Sequence, residues 1–134
     1  MLDQLGLEAA IEYLVQEAAK RTGIAVTLHA EEFPKLSDEV ASHAFRIIQE
    51  ALTNVTRHSK ASRVDVSVRR VGAVIILGVA DNGVGFAPDT LSGLRSLGLV
   101  GMRERALACG GTLMVHGKPG EGTAITVTIP VAAP

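Results

Sequence analysis

A chain of 134 residues, of which 47% are apolar, can bury one sizeable core and is too apolar to be disordered, so residues 1–134 are predicted to form a single domain. Its 13 basic and 14 acidic residues leave no excess positive charge, which argues against nucleic-acid binding and direct membrane contact, and any phosphate binding must be local. The one cysteine, Cys109, excludes an internal disulfide framework and agrees with a cytoplasmic location.

Hydrophobic periodicity predicts a domain in which helices and strands alternate. In chain order the predicted elements are a helix that ends at Thr22-Gly23, a strand at 24–30, a helix from Ser37 to about Ser59, strands at 63–70 and 74–80, a helix at 98–109, and strands at 112–116 and 123–129. Residues 87–97 contain Pro, Gly and Ser without periodicity, so they are predicted to form a mobile loop.

The second predicted helix carries a polar stripe. With successive residues about 100° apart, the stripe contains Glu50, Asn54 and His58, with Arg46 and Arg57 close to it. The opposite side is predicted to pack on the sheet, and it contains Ala44, Phe45, Ile48, Leu52 and Val55. Ile47 is an apolar exception inside the polar arc. A solvated face is the ordinary interpretation of such a stripe, but an asparagine is poorly suited to an exposed helix interior.

A carboxylate, an amide and a guanidinium within two helical turns could serve a nucleotide. The carboxylate of Glu50 could orient a proton transfer, the amide oxygen of Asn54 could coordinate Mg²⁺, and Arg57 could bind a phosphate oxygen. A second candidate element is Asp81-Asn82-Gly83-Val84-Gly85-Phe86, which follows directly after an apolar strand. Its glycines would let backbone N–H groups approach a ligand, although Asp-Asn-Gly alone is also typical of a hairpin turn.

These segments resemble the conserved blocks of one ATPase family. Glu50-Ala51-Leu52-Thr53-Asn54-Val55-Thr56-Arg57-His58 resembles the N box of histidine-kinase ATPase domains, and the segment from Asp81 to Phe86 resembles their G1 box. Gly98-Leu99-Val100-Gly101-Met102-Arg103-Glu104-Arg105 resembles their G2 box, and Gly120-Glu121-Gly122-Thr123 completes the set. The chain is therefore similar to GHKL, or Bergerat-type, ATP-binding domains, and most closely to the catalytic domain of sensor histidine kinases of the NarL-partner or DesK type.

The resemblance implies a two-layer α/β sandwich with helices over one face of a mixed sheet, and it assigns roles to the polar residues. Asp81 would accept a hydrogen bond from the adenine amine, with Gly83 and Gly85 giving the nucleotide close access to the backbone. The alternative for Asp81 is a turn cap. Asn54 would coordinate Mg²⁺ together with phosphate oxygens and water.

The other assignments each keep a structural alternative. Arg57 would bind the phosphates, or form a solvent-facing ion pair. Glu50 would orient or accept the proton of the incoming nucleophile, or pair with Arg46 or Arg57 on the helix surface.

The last block and the third helix complete the implied site. Gly98 and Gly101 would present backbone N–H groups to the phosphates at the helix N-terminus. Leu99 and Met102 would pack over the nucleotide, or belong to the core. The hydroxyl of Thr123 would join a water-mediated adenine network, or Thr123 is simply a β-branched strand residue.

None of the four histidines matches the acceptor motif of the family, a histidine followed by an acid on a helix. The resemblance therefore implies a monomeric catalytic fragment whose dimerisation and phosphoacceptor helices lie outside this chain, with a response regulator as an indirect partner. Two alternatives are a GHKL serine kinase of the anti-sigma-factor type and a nucleotide-binding interaction module without transfer activity.

Overall fold

The computed structural model describes residues 4–30, 35–58, 60–83, 98–117 and 120–131. The predicted loop at 87–97 lies outside these ranges. The described elements are helix α1 (Gln4–Thr22), strand β1 (Ala25–His29), helix α2 (Asp38–His58), strands β2 (Arg63–Val71) and β3 (Val74–Asp81), helix α3 (Leu99–Ala108), and strands β4 (Thr112–Gly117) and β5 (Thr123–Pro130). The predicted elements are thus present, with ends that differ by a residue or so. Among the described helices, none is long and apolar enough to cross a membrane.

The strands form one mixed sheet in the order β1-β2-β3-β5-β4. β1 lies parallel to β2, and the other neighbouring pairs are antiparallel. Because side chains alternate between the two faces of a strand, every second residue points to the helices. One row of such residues crosses all five strands and consists of Leu28, Val66, Val79, Ile125 and Val115. The predicted two-layer sandwich, with helices over one face of a mixed sheet, is confirmed.

Helix α2 is the central helix of the covering layer. The hydroxyl of Ser37 accepts a hydrogen bond from the N–H of Val40 at 3.2 Å, so the predicted N-cap is confirmed. Ala44, Ile48 and Val55 are buried in the core, as their positions on the apolar side of the helix predict.

The predicted polar arc of α2 is partly buried, which corrects the interpretation of this face as solvated. Ile47 is only 2% exposed and Asn54 only 5%. Two other helices, α1 and α3, pack against α2, and Gly98 at the start of α3 lies directly on Asn54.

Helix α3 runs antiparallel to α2. Its first residues lie against the middle of α2, since Gly98 faces the side chains of Glu50 and Asn54. The end of α3 lies near the start of α2. There, burial raises the pKa of the Cys109 thiol, and the nearby negative charge of Glu39 raises it further. The antiparallel arrangement leaves a groove between the two helices.

Candidate functional site

The structure gathers the predicted site residues into two groups. The first, called the helix end, comprises Glu50 and Asn54 on α2 with Gly98 and Gly101 on α3. The second, called the sheet end, comprises Asp81, Gly83, Gly122 and Thr123. Here the last residue of β3 pairs with the first residue of β5. Each group is assembled from segments that are far apart in the sequence.

At the helix end, Gly98 lies directly on the two polar side chains of α2. It has a left-handed backbone, with φ of +64°, and it caps the N-terminus of α3. A Cβ atom at this position would lie 2.7 Å from Asn54 Nδ2 and 2.7 Å from Glu50 Oε1. The backbone conformation therefore favours glycine at position 98, and a larger residue would displace the ends of the Asn54 and Glu50 side chains.

Asn54 and Glu50 are linked by a hydrogen bond, in which Asn54 Nδ2 donates to Glu50 Oε1 at 3.1 Å. This bond directs the amide nitrogen of Asn54 toward Glu50. Asn54 is buried, whereas the carboxylate of Glu50 is exposed to the groove. The pair thus places a buried amide and an accessible carboxylate within one turn of α2.

The first turn of α3 supplies backbone donors to the same place. The first hydrogen bond of this helix runs from the N–H of Met102 to the carbonyl of Gly98, so the N–H groups of Leu99, Val100 and Gly101 precede the helical ladder. Among the described residues, none lies within 4 Å of where a Cβ of Gly101 would be. Free N–H groups and the positive end of the helix dipole favour an anion here.

At the sheet end, the carboxylate of Asp81 is only half satisfied. Its Oδ1 atom accepts a hydrogen bond from the N–H of Gly83 at 2.7 Å. Its Oδ2 atom is buried and accepts no hydrogen bond from any residue that the structure describes. Burial raises the pKa of this carboxyl above its ordinary value, while the nearby backbone N–H groups of Gly83 and Thr123 offset part of the rise. A buried acceptor oxygen without a donor suits a ligand that brings an N–H group.

Backbone contacts hold Asp81 in place. Asp81 pairs with Thr123 in the β3–β5 register, and Thr123 is buried. Gly122, with φ of +86°, passes so close that a Cβ atom would overlap the carbonyl oxygen of Asp81. The sequence placed Gly122 in the last family block without a role of its own, and its contact with Asp81 depends on the pairing of two distant strands.

The residue after Asp81 holds the same strand end through side-chain hydrogen bonds, called here the Asn82 brace. Asn82 Oδ1 accepts hydrogen bonds from the N–H groups of Ser62 and Arg63, each at 3.0 Å. These two residues follow shortly after α2, which ends at His58. The brace therefore places the C-terminal end of α2 beside the sheet end of the site.

A groove of about 300 Å³ lies between α2 and α3. Its lining residues are Arg46, Gln49, Glu50, Gly98, Gly101, Met102 and Arg105. The sequence suggested Arg46 only as an ion-pair partner of Glu50, and Arg105 only as part of a solvated face or a docking surface. Their spacing of four residues from Glu50 and from Gly101, respectively, was the signal that could have placed both on the site-facing sides of their helices.

The remaining predicted residues divide between the core and the part of the chain that is not described. Leu99 and Met102 are each 1% exposed and belong to the hydrophobic core, which is the alternative that the sequence left open, and Met102 also lines the groove. Arg57 belongs to α2, but its side chain lies outside the described part of the structure. Gly85 also lies outside the described residues.

Comparison with known proteins gives consistent matches. The family described as histidine kinase-, DNA gyrase B-, and HSP90-like ATPase matches residues 39–133. The chain is 37% identical over 131 residues to the signal transduction histidine-protein kinase/phosphatase DegS of Brevibacillus brevis, covering 97% of this chain and 34% of that protein. It is 39% identical over 130 residues to the sensor histidine kinase LiaS of Bacillus subtilis, covering 97% of this chain and 36% of that protein. The chain thus spans about a third of the length of these relatives.

Two solved structures share the fold. The histidine kinase domain of the blue-light activated histidine kinase from Erythrobacter litoralis EL346 matches with a TM-score of 0.75 and 22% identity, over 93% of this chain and 61% of that one. The histidine kinase AdeS from Acinetobacter baumannii matches with a TM-score of 0.76 and 20% identity, over 92% of this chain and 64% of that one. At these identities the likeness concerns the fold alone.

Proposed function

Because the chain belongs to the histidine kinase-, DNA gyrase B- and HSP90-like ATPase family, we propose that it is the Mg-ATP-binding catalytic domain of a sensor histidine kinase. In this proposal residues 1–134 form one cytoplasmic domain, and the dimerisation and phosphoacceptor helices belong to another part of the protein. The γ-phosphate of ATP passes to a histidine on those helices and then to an aspartate of a response regulator.

The observation that carries the proposal is the unsatisfied oxygen of Asp81. A buried carboxylate oxygen without a donor costs free energy, and the exocyclic amine of adenine would supply that donor. Oδ1 is already bound to the N–H of Gly83, so Oδ2 is the atom left for the base. A guanine presents a carbonyl oxygen at the same ring position and would be repelled, which makes Asp81 the determinant of base identity.

The helix end suits the phosphates and their metal. Among the described residues, no three His, Cys, Asp or Glu side chains come together to hold a metal ion. A Mg²⁺ ion would therefore depend on the amide oxygen of Asn54 and on oxygens of the nucleotide and water. The ion would neutralise charge on the phosphates. The N–H groups at the start of α3 would bind the phosphate oxygens.

Glu50 is the residue placed to act on the acceptor. Its carboxylate faces the groove, and the hydrogen bond from Asn54 holds it beside the proposed metal site. From this position it would orient the acceptor imidazole and accept a hydrogen bond from its ring N–H. Positioning and charge neutralisation account for most of the rate in phosphoryl transfer, so the domain needs no covalent intermediate of its own.

The test of nucleotide recognition is Asp81→Asn, which reverses the polarity of one atom with little change in shape. We expect the affinity for Mg-ATP to fall about tenfold or more, because the amide nitrogen would face the adenine amine. The matched control is Asp65→Asn, a carboxylate of the same sheet that pairs with His29 at 2.9 Å. Isothermal titration with ATP and GTP measures both the affinity and the preference for adenine. Equal affinity for ATP and GTP in the unchanged chain would contradict the assignment of Asp81.

The test of the reaction uses the full-length protein and labelled ATP. A product that is labile in acid and stable in base identifies phosphohistidine, and an acid-stable product identifies phosphoserine, which would favour the anti-sigma-factor type of kinase. Asn54→Ala is expected to abolish transfer. Persistent labelling in a correctly folded Asn54→Ala variant would remove Asn54 from the mechanism.

A further inference from the structure

Two arginines lie at the same end of the groove between α2 and α3. Arg46 precedes Glu50 by one turn of α2, and Arg105 follows Gly101 by one turn of α3. Because the helices are antiparallel and Gly98 lies on Asn54, Arg46 and Arg105 are both displaced from Asn54 in the same direction. Four helical residues correspond to about 6 Å along the axis, so Arg46 is that far beyond Glu50.

The charges in the groove are unbalanced. Arg46 and Arg105 bring two positive charges, and Glu50 brings the one negative charge among the lining residues. Within the described part of the chain neither arginine forms an ion pair, and Arg46 has a long hydrogen bond of 3.4 Å to Gln49 Oε1. Guanidinium groups that share a groove and lack carboxylate partners favour an anion with several oxygen atoms.

The direction of the groove indicates which anion. The brace formed by Asn82 places the C-terminal end of α2 beside Asp81, so the path from Asn54 to Glu50 to Arg46 leads away from the base. The phosphate farthest from adenine would therefore lie nearest the two arginines. Resting on the proposed function, we propose that Arg46 and Arg105 bind the terminal phosphate of ATP and make the site distinguish ATP from ADP.

This assignment gives each polar group of the helix end a separate task. Asn54 and the start of α3 contact phosphate oxygens that ATP and ADP share. The arginines contact oxygens that only ATP has, and they offset the repulsion between the terminal phosphate and the carboxylate of Glu50. Charge that is concentrated on the transferred group is also the charge that phosphoryl transfer must stabilise.

The experiment compares two nucleotides on the same chain. The affinities for Mg-ADP and for the non-hydrolysable imido analogue of Mg-ATP are measured by titration calorimetry for the unchanged chain and for Arg46→Gln, Arg105→Gln and the double variant. Each single variant is expected to weaken binding of the ATP analogue about tenfold while changing ADP binding less than about twofold. Arg103→Gln is the matched control, because Arg103 is exposed on the same helix and does not line the groove.

The outcomes separate this inference from the function on which it rests. A chain that binds neither nucleotide contradicts the proposed function itself. A second outcome is that the unchanged chain binds both nucleotides, while the arginine variants change the ratio of ATP-analogue affinity to ADP affinity no more than Arg103→Gln does. That result contradicts only the role of the arginines. An equal loss for ADP and for the ATP analogue also contradicts it, and circular dichroism identifies any variant whose loss comes from unfolding. Reduced phosphotransfer in the full-length protein with an unchanged ratio would assign the arginines to the acceptor helices instead.

Discussion

The sheet end and the helix end of the site hold their polar groups by different means. At the sheet end, Asp81 is fixed by the N–H of Gly83, by strand pairing with Thr123 and by the backbone of Gly122. At the helix end, Glu50 and Asn54 are held by a hydrogen bond between side chains and are covered on one side by Gly98. The sheet end is therefore defined by atoms that cannot move independently, whereas the helix end depends on the packing of two helices.

This difference fits the task that the proposed function gives to each end. Reading a base requires a fixed acceptor, since a shift of a few tenths of an ångström weakens a hydrogen bond. Binding and releasing phosphates requires open donors, such as the N–H groups at the start of α3 and the guanidinium groups of the groove. We expect substitutions to affect stability most at the sheet end and nucleotide binding most at the helix end.

The largest effect on stability is expected for Gly122→Ala. The new methyl group would overlap the carbonyl oxygen of Asp81, and the residue would also keep a φ of +86°. We expect a loss of more than about 3 kcal/mol in the free energy of unfolding, because backbone atoms of paired strands cannot yield. Urea denaturation measures it.

A neighbouring glycine provides the control for this substitution. Gly120 has a φ of +83°, but no residue that the structure describes lies within 4 Å of where its Cβ would be. Gly120→Ala should therefore cost about 1 kcal/mol, which is the backbone strain alone. If the two variants were equally stable, the contact between Gly122 and Asp81 would not hold the sheet end together.

An intermediate effect is expected for Gly98→Ala at the helix end. The methyl group would meet the ends of the Asn54 and Glu50 side chains at 2.7 Å, and these can rotate away. We expect a stability loss of about 1–2 kcal/mol. Most of the affinity for Mg-ATP should also be lost, since the displaced side chains are those proposed to hold Mg²⁺ and to orient the acceptor histidine.

Gly101→Ala is the matched control on the same helix. Its Cβ would meet nothing within 4 Å, and alanine is favoured over glycine in a helix by up to about 1 kcal/mol, so the variant should be as stable as the unchanged chain or more so. Thermal unfolding followed by circular dichroism compares the two. A Gly98→Ala variant that retained full affinity would show that the helix end adjusts without functional cost.

The smallest effect is the pH dependence of the sheet end. Burial raises the pKa of Asp81, so the ionised carboxylate destabilises the folded state. This destabilisation is absent at a pH below the ordinary pKa of an aspartate and complete at a pH above the raised pKa. Asp81→Asn should therefore be more stable than the unchanged chain at neutral pH, by less than about 1 kcal/mol once solvent screening is allowed for. The difference should fade on acidification. A stability advantage that grows as the pH falls would show that Asp81 is stabilised as a carboxylate.

The elements of the fold and the types of residue at the site could be predicted from local patterns. Alternation in β2 placed Val64, Val66 and Val68 on the buried face, and Ser37 marked the start of α2, because strand periodicity and helix capping involve residues close together in the chain. The four family blocks similarly named Glu50 and Asp81 as candidates from sequence alone.

Contacts between distant segments could not be predicted in this way. A single-helix projection placed Asn54 and Ile47 toward solvent, yet both are buried, because α1 and α3 pack against α2 and Gly98 lies on Asn54. Long-range packing also decided the contact of Gly122 with Asp81 and the common groove of Arg46 and Arg105. The sequence by itself determined the order of helices and strands, through short-range spacing, and the resemblance of its blocks named the candidate site residues. The tertiary structure decided which of them meet, because the apolar faces of helices and sheet can all be buried only in one mutual arrangement.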